Sequence, residues 1–344
     1  MKKLFLLATL SLCFGGCNKD NKVLHVERAF YYWKSNNLGY AAEAKLASDS
    51  IKKLYVKFFE VDYSEAMGNY PHDKLSNYGN FFEHETDIEV VPTVFIKNEI
   101  FKYNSERDLD KLADNIVFLI DKRGGKGFGK NFGKEIQIDC DWTKSTKEKY
   151  FYLLRKIKEL SKKEISCTLR LYPYKYRETM GVPPVDKAML MCYNLIKPLT
   201  SSDKNSILDI AELKSYLNEK RSYPLHLDVA LPVFSWAQWY QNNHFQGLVD
   251  LNREELKSFT KEIKPMWYEV TKDTSFHWAE YYRVADQIKY EDVSASTIQE
   301  AIAVIKKNVE MDNQTTVALF DVSDNIYMQY SHEELIGFYT AFSK

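Results

Sequence analysis

Two carboxylates stand two residues apart in the run Ile136-Gln137-Ile138-Asp139-Cys140-Asp141-Trp142-Thr143. Apolar Ile136, Ile138, Cys140 and Trp142 alternate there with Gln137, Asp139, Asp141 and Thr143. A period of two is that of a β-strand, so Asp139 and Asp141 share one face. Like charges that close push their pKa values apart, leaving one neutral acid beside one anion. Such a pair suits general acid–base work or the stabilisation of a cation. A second run places Ser166, Thr168, Arg170 and Tyr172 opposite Ile165, Cys167, Leu169 and Leu171, and a third places His226 and Asp228 opposite Leu225, Leu227 and Val229. Arg170, from a neighbouring strand, is placed to hold one of the aspartates ionised.

Eight strand-like runs carry these faces: Val26–Trp33, Leu54–Val61, Val90–Ile96, Glu135–Asp141, Ile165–Tyr172, Ala188–Tyr193, Pro224–Val233 and Thr315–Phe320. Helical periodicity separates most of them. Leu109, Leu112, Ile116 and Leu119 line one face, and Ser145 with Glu148 reads as a capping box ahead of Phe151, Leu154, Ile157 and Leu160. Ile207–Lys220 is amphipathic, Ser296 with Gln299 caps Ile298–Val309, and Ser331 with Glu334 opens the last helix. A further helix is expected near Asp73–Phe82. Eight strand–helix units favour an α/β fold closed into a (β/α)8 barrel, with an open doubly wound sheet as the alternative. A parallel sheet covered on both faces is ordinarily apolar throughout. Burying Asp139, Asp141, Arg170 and Asp228 inside a barrel costs several kcal/mol each unless they pair, bind or react. A closed Arg–Asp network would satisfy them; a ligand site at the strand C-termini is where this fold keeps its chemistry.

The N-terminus frames this barrel. Lys2 and Lys3 precede an apolar run from Leu4 to Phe14, then Gly15, Gly16 and Cys17. The run falls short of the roughly 20 residues that span a bilayer and reads as a signal peptide. Small residues before Cys17 resemble a lipoprotein processing site, although Phe14 stands where an aliphatic is usual. The resemblance implies a signal over residues 1–16, lipidation of Cys17 and an anchor and tether over 17–24; the strand pattern leaves a single barrel domain over 25–344 with an insertion at 242–293. The expected location is the bacterial cell envelope, lipid-anchored, with the outer membrane favoured.

With 47 Lys and Arg against 48 Asp and Glu, no basic stripe suggests nucleic acid. Thirteen glycines and no CxxC pair leave neither phosphate loop nor zinc motif, so no cofactor and no metal are expected. Cys140, Cys167 and Cys192 read as buried free thiols. Arg123-Gly124-Gly125-Lys126 reads as a turn, and the Lys-rich stretch from Lys144 to Lys163 as a solvated helix face.

Ile138-Asp139-Cys140-Asp141-Trp142-Thr143 resembles the fourth-strand signature of family 18 glycoside hydrolases, roughly D-G-x-D-x-D-W-E. Met191-Cys192-Tyr193-Asn194 on the sixth strand resembles that family's M-x-Y-D/N motif. The segment from Asn242 to Val293 looks like the family's accessory insertion. The chain also resembles a group of exported bacterial barrel lipoproteins with an I-D-x-D-W-T motif. The resemblance implies a glycan or polysaccharide partner. It gives Asp141 the role of orienting the substrate's N-acetyl group as that group attacks its own anomeric carbon. Asp139 becomes its partner carboxylate, Tyr193 a donor to the acetamide oxygen, and Asn194 an assistant. Thr143 departs from the pattern, standing where the family has its acid glutamate. A threonine hydroxyl is no general acid near neutral pH.

Two readings follow: a glycosidase with another acid drawn from Glu60, Asp62, Asp228, Asp321 or Glu280, or a glycan-binding protein on a degenerate barrel. A scaffold with a closed inner network is a third. Trp33 and Trp236 are the favoured stacking platforms among the tryptophans, since sugar rings lay apolar C–H patches on aromatic faces. Arg170, Tyr172, Asn194, Asp228 and Glu60 are expected to contact substrate. His226 and His277 read as structural, and Lys57 as an ion-pair partner of Glu60 or of an inner aspartate.

Overall fold

A computed structural model describes residues 25–343 apart from 36–37, 39, 77–80, 83, 85, 125–127, 129–130, 198–202, 277–279 and 323–325. Cys17, with the expected signal and tether, lies outside the described residues, as do His277 and Trp278. Eight parallel strands form the barrel: β1 (His25–Tyr32), β2 (Lys53–Ser64), β3 (Glu89–Ile96), β4 (Glu135–Asp139), β5 (Glu164–Arg170), β6 (Lys187–Met191), β7 (His226–Pro232) and β8 (Gln314–Phe320). They pair in parallel in chain order, and β1 pairs with both β8 and β2, so the sheet closes. That closure decides for the (β/α)8 barrel over the open sheet. No described helix is long and apolar enough to cross a membrane.

The alternation explains the layering. The outward Ile136, Ile138, Ile165, Cys167 and Leu169 are buried beneath helices. The helix Lys147–Ser161 lays Tyr150, Phe151, Leu154 and Ile157 against them. Its N-cap is Thr146 rather than Ser145, and the Ser145–Glu148 capping box is not formed. Ser294, not Ser296, caps Ala295–Asn308. Ser331 and Glu334 do exchange backbone N–H bonds at the last helix. Where a helix was expected near Asp73–Phe82, β2 instead turns back into an antiparallel strand, Gly68–His72. The described residues of that segment, 73–76 and 81–82, hold no helix. Cys140, Cys167 and Cys192 are buried and free.

Inside the barrel three layers stack. At the N-terminal pole Glu135, almost fully buried, meets Lys187 at 2.6 Å and Lys53 at 3.4 Å. Asp228 belongs to this pole. Its carboxylate accepts from the Thr316 backbone at 2.6 Å and pairs with His226 at 3.2 Å. Above it, Ala29, Tyr31, Tyr55, Val91, Met189, Ala230 and Ala318 make an apolar middle. Asp139, Thr168, Asp141 and Arg170 form the layer nearest the strand C-termini.

After β7 the chain leaves the barrel. Strands Trp236–Gln241, His244–Val249, Thr260–Lys264, Trp267–Val270 and Gln287–Glu291 form an antiparallel sheet. It has its own apolar cluster, with Phe259, Tyr268, Tyr282 and Ile288 among its members. The sheet starts at Trp236, inside the run that follows β7.

Candidate functional site

The β4 and β5 polar faces meet at the mouth of the barrel. Arg170 grips Asp141 with two parallel bonds, Nε to Oδ1 at 2.7 Å and Nη2 to Oδ2 at 3.0 Å. This fork geometry is the strong form of the pair. Asp139 sits one layer deeper, 7% exposed, and accepts from the Thr168 hydroxyl at 2.6 Å. Burial, then the neighbouring charge of Asp141, raise its pKa to about 6, against the pull of Thr168 and Arg170. Asp139 therefore retains its proton at mildly acidic pH.

A cleft of ≈ 560 Å³ opens beside this pair, a size suited to a small ligand. Asp141, Arg170, Tyr172, Tyr193, Asn194 and Trp236 line it. The strand expected to run to Tyr172 ends at Arg170. A short helix, Leu171–Lys175, follows and presents Tyr172 half-exposed at the rim. Tyr193 is 1% exposed, its ring packed against Phe234 and Phe320, and its hydroxyl bonds no described residue. Burial holds its pKa far above the ordinary tyrosine value, so it remains a neutral donor. Asn194 takes a left-handed φ of 52°, a conformation asparagine tolerates. Its backbone N–H donates to the Ile207 carbonyl at 2.7 Å, while its Oδ1 bonds no described residue. Among the described residues, a buried donor and a buried acceptor of the cleft lining thus have no hydrogen-bond partner.

Other expected residues lie elsewhere. Asp228 is corrected: it is sealed in the ion network of the opposite pole and does not line the cleft. Glu60 sits at the β2 rim, bonded by Lys57 at 3.2 Å and facing His72 at 3.6 Å. Trp33 packs between Tyr31 and Phe320 on that same side, with the Lys57 ammonium over its ring. Neither borders the cleft. Asp62 is tied to Lys97, and Glu280 accepts from Tyr282 within the insertion. Asp321, half-buried beyond β8, is raised to about 6 by burial, with Lys34 opposing. Thr143 is exposed and shares its hydroxyl with Ser145 and Thr146.

Sequence reasoning missed Glu291. It is fully buried behind Trp236 and accepts the indole N–H at 2.5 Å. The signal was present in the alternation of Gln287, Lys289 and Glu291, which sets two opposite charges on one strand face. No cluster of His, Cys, Asp and Glu suited to a metal occurs among the described residues.

In fold the closed barrel is chitinase-like, resembling that of family 18 glycoside hydrolases. A chitinase from Bacteroides thetaiotaomicron shares it at 12% identity and a TM-score of 0.54, over 92% of this chain and 97% of that one. The spore cortex-lytic enzyme SleL of Bacillus cereus does so at 13% identity and 0.53, over 93% and 75%. At these identities the likeness is one of fold. No protein-family model and no curated protein matches the chain.

Proposed function

We propose that the chain is a glycan-binding protein built on a glycosidase-like barrel, holding an N-acetylated sugar in the cleft beside Asp141. One observation carries this. Among the residues lining the cleft Asp141 is the one carboxylate, and Arg170 clamps both its oxygens. A glycosidase needs a proton donor at the glycosidic oxygen, and position 143 offers a hydroxyl. What remains suits holding: Trp236 and Tyr172 as stacking surfaces, the Tyr193 hydroxyl as a donor and Asn194 as a partner for an acetamide. The names of the two structural neighbours, a chitinase and a cortex-lytic enzyme, favour a polysaccharide partner.

Calorimetric titration with a tetramer of N-acetylglucosamine, alongside a reducing-sugar assay, tests the reading. Binding without release is expected, weakened about tenfold in Trp236→Ala. Absence of binding to any member of a glycan panel would overturn it. Hydrolysis is the second reading, favoured by Asp139, whose pKa of about 6 leaves it a usable acid. Reducing sugar released by the parent and lost in Asp141→Asn would establish that reading instead.

The lipoprotein-like N-terminus supports attachment to the cell envelope through Cys17, with residues 17–24 as tether and the outer membrane as the favoured site. Metabolic labelling with a fatty acid, lost in Cys17→Ser, is the expected result. Unlabelled parent protein would refute it.

A further inference from the structure

Glu291 occupies the junction of three parts of the molecule. Its carboxylate accepts from Trp236 Nε1 at 2.5 Å and from Gln238 Nε2 at 2.8 Å, both on the first strand of the inserted sheet. Ser206, in the chain after β6, adds its backbone N–H at 2.8 Å and its hydroxyl at 2.7 Å. Lys289 completes the set at 2.8 Å. Glu291 and Lys289 are 0% and 1% exposed, so the pair is sealed from water. Burial disfavours the carboxylate's charge, but Lys289, Ser206 and Trp236 outweigh it and hold the pKa below the ordinary value.

The connection reaches both cleft walls. Trp236 is one wall, and the Ile207 carbonyl beside Ser206 accepts the Asn194 N–H of the other. An indole whose N–H is already taken meets a ligand through its ring carbons. The carboxylate fixes the rotamer that presents them, and Phe234 packs edge-to-face against the same ring at 5.6 Å. Orienting an aromatic platform in advance removes an ordering cost that the ligand would otherwise bear.

We infer that Glu291 is a positioning residue of the cleft, through which the inserted sheet holds Trp236 as a rigid stacking platform and locks it to the Asn194 wall. The inference rests on the glycan-binding reading above for its use, but its geometry is testable without any ligand. The insertion is then part of the binding site, although its sheet contributes Trp236 alone to the cleft lining.

The test uses the full chain, ¹⁵N-labelled, with the Trp236 indole N–H signal assigned by its absence in Trp236→Phe. In the parent this signal is expected to resist hydrogen exchange, as a buried charge-assisted bond does. Glu291→Gln alone would strand the Lys289 ammonium, so it is combined with Lys289→Met. In that double variant the signal should move and exchange about tenfold faster or more, and affinity for the N-acetylglucosamine tetramer should fall about as far as in Trp236→Ala. Trp236→Phe, which keeps a ring but not the N–H, should also bind more weakly than the parent. A Trp236 signal unprotected in the parent overturns the inference, even if the double variant does not fold. So does a folded double variant with parental affinity. A protected signal in a parent that binds no glycan leaves the positioning intact and removes the proposed function.

Discussion

Replacing Tyr193 by Phe removes one oxygen from a site where folding and binding make opposite demands. The hydroxyl is buried, bonds no described residue, and belongs to a ring already packed against Phe234 and Phe320. An unpartnered buried hydroxyl costs about 1–3 kcal/mol, and phenylalanine preserves the ring contacts. Stability of Tyr193→Phe is therefore expected to rise by about 1 kcal/mol. On the glycan-binding reading the same oxygen donates to the ligand, and losing one such bond would cost about 1 kcal/mol, about fivefold in affinity. Urea unfolding gives the first quantity and calorimetry with the N-acetylglucosamine tetramer the second. The reasoning is refuted if the variant is less stable than the parent by more than about 1 kcal/mol, or if its affinity is unchanged.

Three further outcomes are expected. Asp139 keeps its proton up to a pKa of about 6 in the fold, against an ordinary value of 3.8. The folded state then binds more protons than the unfolded chain between those values, so stability falls as pH rises through that window, by at most about 3 kcal/mol. Asp139→Asn should abolish that share of the decline in urea midpoints measured across it, and a parallel decline in parent and variant would contradict the assignment. His226 is raised to about 9, chiefly by its bond to Asp228, so its contribution is complete below its ordinary value of 6.5 and lost as pH climbs through 9. His226→Gln should flatten this alkaline loss in thermal melts, and an unchanged profile would count against it. Glu135→Gln should destabilise by about 1–3 kcal/mol, because Lys53 and Lys187 lose one buried counter-charge while keeping Glu27 and Glu164. Its folded fraction should bind the tetramer like the parent, and weakened binding would place the network in the site.

Much of this arrangement could be read in advance wherever a period of two ran uninterrupted. Asp139, Asp141 and Arg170 fell on one face because β4 and β5 alternate without a break, and the parallel register sets their polar faces side by side. Alternation gives the face but not the depth. Asp228 shares the inner face, yet strands in a closed barrel are tilted and staggered, so it lies with Lys187 at the far pole. Glu60 was obscured by a register shift between Lys57 and Phe59. The helix expected near Asp73–Phe82 had no strong apolar stripe, and the chain just before it doubles back on β2. Glu291 was invisible as a site residue because its partners Trp236 and Ser206 come from segments 55 and 85 residues away.

The ion network at the N-terminal pole has a consequence for how such a barrel changes over time. Glu135, Lys53, Lys187 and Asp228 tie β4, β2, β6 and β7 together on the far side of the Tyr31 and Tyr55 layer from the mouth. Exchanges at the mouth therefore leave the fastening of the cylinder untouched. Position 143, on an exposed turn, can exchange one side chain for another with little thermodynamic penalty. The mouth can thus vary while the far pole holds its strands in place.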